Sequence, residues 1–102
     1  MRNIYFGDFR AMVVEYIKQI DNTHPDLQST EWFLLRYLRH IVKVTEPPAE
    51  AGKVEGAVRS LVRFYVDNIN EKTELGRICL NIYDDYRKVL REKQKQDALH
   101  SG

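Results

Sequence analysis

The stretch Trp32-Phe33-Leu34-Leu35-Arg36-Tyr37-Leu38-Arg39-His40-Ile41-Val42-Lys43-Val44 decides how the chain reads. Leu34, Leu35, Leu38, Ile41 and Val42 follow the three-and-four spacing of an α-helix that buries one side. The polar residues keep the same period: Arg36, Arg39, His40 and Lys43 stand at i, i+3, i+4 and i+7, so they line one face. The helix must stop near Val44, because Pro47 and Pro48 follow and a residue before proline avoids the α region. Its entry lies at Pro25, a good first helical position, or at a Ser29 or Thr30 cap.

Working outward, three more segments carry the helical period. Upstream, Tyr5, Phe9, Met12, Val13, Tyr16, Ile17 and Ile20 recur at steps of three and four before Asp21-Asn22-Thr23-His24-Pro25 breaks the pattern. Downstream, Val54, Val58, Leu61, Val62, Tyr65 and Ile69 form a third stripe. Its start is open: Pro48 begins it with Glu50 in the first turn, or Gly52 delays it. The fourth stripe holds Leu75, Ile78, Cys79, Ile82, Tyr83, Tyr86, Val89 and Leu90, with Thr73 as its N-cap and Glu74 suited to the helix dipole. The helices are expected at about 4–21, 29–44, 50–70 and 73–95, with a polar, frayed tail over 96–102. No segment alternates with period two long enough to make a strand. Short connections make sequential helices antiparallel neighbours, so the expected fold is all-α: a single-domain, antiparallel up-down four-helix bundle. A three-helix bundle with its first two helices angled differently is the runner-up.

Composition narrows the function classes. The chain has 102 residues, with 16 Lys and Arg against 15 Asp and Glu, a net charge of +1, and a hydrophobic share of 43%. That is enough for one core and too apolar for a disordered chain. A charge so near zero argues against a protein held mainly by nucleic-acid phosphates. The single cysteine, Cys79, excludes an internal disulfide and sits in an apolar stripe, where a small buried hydrophobe is expected rather than a reactive thiol. Asp8, Arg10 and Glu15 interrupt the first segment, so it does not read as a signal peptide, and no apolar run reaches the ~20 residues of a membrane span. The expected location is the cytoplasm.

The usual catalytic groupings are missing from the pattern. His24, His40 and His100 have no Glu or His partner at helical metal spacing, and the five glycines form no phosphate loop. No cofactor or metal is therefore expected. Asp84 and Asp85 are neighbours on a helix and point about 100° apart, so they do not converge as an acid–base pair. His40-Ile41-Val42-Lys43 resembles a histidine phosphotransfer helix, but Val44, Thr45 and two prolines replace the small residues that should follow. A non-enzymatic bundle that presents a helix face is the better reading.

Two basic regions are the candidate partner-binding surfaces. On the second helix, Trp32 heads the stripe of Arg36, Arg39, His40 and Lys43, with Phe33 beside it. A basic strip with an aromatic anchor suits an acidic protein surface or anionic head groups. The plainer alternative is a solvated face with Trp32 folded onto Leu35. The second region is the end of the fourth helix, where Arg87, Lys88 and Arg91 are the candidates; in an up-down bundle it points the same way as the end of the second. The six tyrosines mostly lie on apolar stripes and read as core edge.

The Pro25-Asp26-Leu27 entry, the proline-bearing connection from Thr45 to Gly52, and the run Val58-Arg59-Ser60-Leu61-Val62-Arg63-Phe64-Tyr65 resemble the bacteriocin immunity proteins of the enterocin A type in layout. That resemblance implies a non-enzymatic cytoplasmic bundle. It would protect a producing bacterium from its own membrane-acting peptide, working at a membrane receptor complex on the inner membrane face, with specificity toward the C-terminal half. Two other readings stay open. One is a phage-type or regulatory adaptor whose Arg and Lys side chains face nucleic-acid phosphates. The other is a homo-oligomer that buries the surplus apolar surface of Trp32, Phe33, Tyr37 and Val44.

Overall fold

The computed structural model describes the backbone of residues 6–100 and the side chains of residues 6–93. It is an all-α four-helix bundle: α1 is Gly7–Asp21, α2 is Thr30–Val44, α3 is Ala51–Asn68 and α4 is Glu74–His100. The close pairs are α1 with α2, α2 with α3, α3 with α4 and α4 with α1. The helices thus stand at the corners of a square in chain order, with α2 diagonally opposite α4. α2 packs on both its neighbours more extensively than α4 does on the same two.

Local chemistry sets the helix ends. Ser29 is the N-cap of α2, its Oγ accepting from the Trp32 N–H at 3.2 Å. Among the expected entries the hydroxyl wins because it satisfies an otherwise orphaned amide. Thr45 is buried behind the end of α2, with its hydroxyl donating to the Ile41 carbonyl at 2.8 Å. From α1, Arg10 Nε donates to the Val42 carbonyl at 3.3 Å, satisfying another last-turn acceptor. α3 begins at Ala51, with Glu50 extended at the N-cap, so Gly52 lies inside its first turn and does not delay it. At the α3–α4 connection, Thr73 Oγ1 accepts from the Gly76 N–H at 3.2 Å and donates to the Asn70 carbonyl at 2.6 Å. This turn is tight: a Cβ on Gly76 would sit 2.5 Å from the Asn70 carbonyl oxygen and 2.9 Å from Glu71 Cα.

Two boundaries differ from the sequence expectation. α4 is helical through His100, past the end expected near residue 95, because neither glycine nor proline interrupts 96–100. Residues 101–102 of the expected tail, and residues 4–5 of the expected first helix, lie outside the described residues. At 1.5 Å per residue α4 is about 40 Å long and outruns its partners, in keeping with a long axis of 52 Å.

The core draws on all four helices. Phe9 and Val13 of α1, Leu34, Leu38 and Ile41 of α2, Val54 and Leu61 of α3 and Ile82 of α4 are fully withdrawn from solvent. Phe6 and Phe9 close one end over Tyr86, with ring centroids 6.4 and 6.0 Å from it. Halfway along, Asn81 Nδ2 donates to the Tyr16 hydroxyl at 3.1 Å and ties α4 to α1. Truncating Leu38 or Leu61 to alanine should cost about 2–5 kcal/mol in denaturant unfolding, because both lie at the bundle centre. Gly76→Ala should lower stability by about 1–3 kcal/mol by forcing the connection apart. Gly56→Ala, which meets open space in mid-helix, should raise it by about 0.5–1 kcal/mol.

Candidate functional site

The outer face of α2 is built by the packing of its inner face. With Leu34, Leu35, Leu38 and Ile41 buried, the helical period leaves Arg36, Arg39, His40 and Lys43 exposed on the far side. Trp32 is half-buried at the head of this strip. Its recorded ring partners are Phe33, edge-on at 5.0 Å, and the Arg36 guanidinium, 5.2 Å above the ring. The indole therefore holds its aromatic body under a cation at the surface. Arg39 turns the other way, toward α1, and lies 3.6 Å from the Asp21 carboxylate; both groups are well exposed, so the pair adds under about 1 kcal/mol.

On the α3 side the strip grades into an aromatic row. Phe33 packs against Phe64 of α3 at 6.4 Å, and Phe64 stacks on Tyr37 at 4.8 Å. Phe33 keeps 38% of its surface in water. A shallow cleft of about 470 Å³ lies here, walled by Phe33 and Tyr37, with Arg36, His40 and Ser60 around it. Phe64 went unassigned in the sequence reading. Its signal was the run Val58 to Tyr65, whose aromatic end follows Leu61 by three. The row also takes up much of the apolar surplus of α2, since Tyr37 and Val44 are half-buried within the chain itself.

The second basic region divides. Arg87, Lys88 and Arg91 are exposed on α4, but Arg87 lines the groove between α3 and α4, with its guanidinium 5.7 Å over the Tyr83 ring. Because α2 and α4 occupy opposite corners, the two basic regions share an end of the bundle but open on different faces. They are two surfaces, not one patch.

No protein family, curated protein or solved structure matches the chain.

The remaining candidates from the sequence separate clearly. Cys79 is buried in the core, and that burial pushes its thiol up to about 12. Asp84 is exposed and Asp85 half-buried on α4. Among the described residues no group of three or more His, Cys, Asp or Glu could hold a metal ion, and no helix is long and apolar enough to cross a membrane. The thiol carries a measurable consequence. The unfolded chain ionises it near the ordinary 9.0, whereas the folded chain keeps the proton to about 12. The folded state thus binds the proton more tightly. Its contribution is full below 9.0 and is lost as pH rises through that window. A thiol reagent at pH 8 should label Cys79 only at the rate of unfolding, and Cys79→Ala should flatten the loss of stability that begins above about pH 9.

Proposed function

We propose that this bundle acts without catalysis, by docking a protein partner on the outer face of α2. The observation that carries the reading is the Trp32–Arg36 stack at 5.2 Å, set beside the partly exposed Phe33 on a strip of like charge. Tryptophan and arginine are the residues that most often anchor a protein interface, and an aromatic row at their side supplies the apolar centre such an anchor needs. Arg36, Lys43 and, when protonated, His40 favour an acidic partner segment through charge complementarity. Arg39, engaged by Asp21, sits at the margin of this surface.

The layout shared with the enterocin A-type immunity proteins gives this surface a biological setting. The partner would then be a membrane receptor complex, met from the cytoplasmic side, and the result would be protection against a membrane-acting peptide. Supporting this over nucleic-acid binding, the basic side chains divide between two faces and form no single track suited to a phosphate backbone.

The strip can be tested apart from the fold. Arg36→Glu with Lys43→Glu should change unfolding stability by less than about 0.5 kcal/mol, since both side chains are exposed. The same pair should abolish protection when expressed in a strain sensitive to pore-forming peptides, where the unaltered chain raises survival. Full survival with the double variant would return the strip to an ordinary solvated face.

A further inference from the structure

We propose that the groove between α3 and α4 is a second docking site, and that its occupant is an amphipathic helix with acidic flanks. The groove encloses about 560 Å³. Its floor is apolar: Val58, Val62 and Val66 follow one another at i, i+4 and i+8 along α3, and Tyr83, Tyr86 and Leu90 answer from α4. This floor is incompletely covered. Val66 keeps 71% of its surface in water, and Val62, Tyr83 and Leu90 are only half-buried. The cause is the arrangement of the bundle: α3 packs less extensively on α4 than on α2, so its α4-facing stripe is not closed over.

Charge and shape select the occupant. Arg59 and Arg63, one turn apart on α3, and Arg87 on α4 line the same groove from its two sides. Glu55 and Asp67 stand toward its two ends, and Glu55 meets Arg59 at 3.1 Å in an exposed pair that an incoming carboxylate can replace. Three guanidiniums above an apolar floor fit a ligand whose apolar ridge is bordered by carboxylates. Along α3 the lining runs from Glu55 to Asp67, about 18 Å, or somewhat over three turns of a docked helix. The groove is open along that length. A helix can lay one stripe into it and keep the opposite face in water, whereas an acyl chain would leave one side of its tail exposed. The buried Tyr86 phenol, its proton held first by desolvation and then by the Glu55 carboxylate, adds a neutral hydroxyl to the floor. None of these residues belongs to the α2 strip, so the two surfaces can be occupied together.

The test uses the full chain and two synthetic helical peptides that share Leu at i, i+3, i+4 and i+7, one flanked by Glu and the other by Lys. With the Glu peptide, NMR should show methyl shifts at Val58, Val62 and Val66, and affinity should fall as salt rises. Arg63→Glu with Arg87→Glu should weaken binding at least about tenfold. Val66→Asp, at a side chain already in water, should abolish binding while the thermal midpoint stays in place. Arg36→Glu with Lys43→Glu should leave this binding unchanged, so failure here is distinguishable from failure of the α2 reading. Equal binding of the Lys peptide, shifts confined to the α2 face, no shift with either peptide, or tighter binding of dodecanoate in the same groove would each overturn the proposal.

Discussion

Leu34, Leu38 and Ile41 are fully withdrawn from water on one side of α2, and the arrangement of the whole molecule follows from that burial. Three side chains of this size, completely buried, contribute on the order of 1.5–3 kcal/mol each. They can be covered only if helices close on both flanks of α2, and α1 and α3 do so. The fourth helix is then left the diagonal corner, where it completes the core through Ile78, Ile82 and Tyr86 but packs less extensively on its neighbours. The same constraint fixes the surface. A helix anchored this firmly by one side has no freedom to turn, so Arg36, Arg39, His40 and Lys43 are held outward and Trp32 is held at the rim.

Much of this architecture was legible because it is local. Helical period alone places the four elements, and the hydroxyls of Ser29 and Thr73 mark the entries of α2 and α4. The start of α3 was not decidable from sequence. Gly52 and Pro48 pull in opposite directions, and it is the extended backbone at Glu50 that resolves them. The end of α4 was missed for a related reason. Polarity suggested a tail, but a helix ends where a residue breaks it, and none does so before Gly102. The demand on Gly76 could not be read at all, since it comes from the close approach of the Asn70 carbonyl across a turn.

The candidate surfaces show the same division between local and tertiary information. The basic strip of α2 lies within one helix, and its spacing alone predicts a shared face. Phe64 joins that surface from another helix, and no period along α2 can reveal it. Likewise Arg59 and Arg63 read as ordinary surface charges until α4 brings Arg87 to the same groove. Sequence reasoning set the two basic regions at one end of the bundle; only the order of the helices around the core shows that they open on different faces. A net charge of +1 therefore conceals two local concentrations of positive charge, each beside apolar surface.

The central claim is that α2 is the fixed member of the bundle and the surfaces are set by it. Native-state hydrogen exchange tests this most directly. If the account is right, the amides from Leu34 to Ile41 exchange only through global unfolding and are the slowest in the chain, while those of α4 beyond Leu90 exchange through local opening. Exchange of the α2 amides by local opening, with α4 the better protected helix, would contradict it.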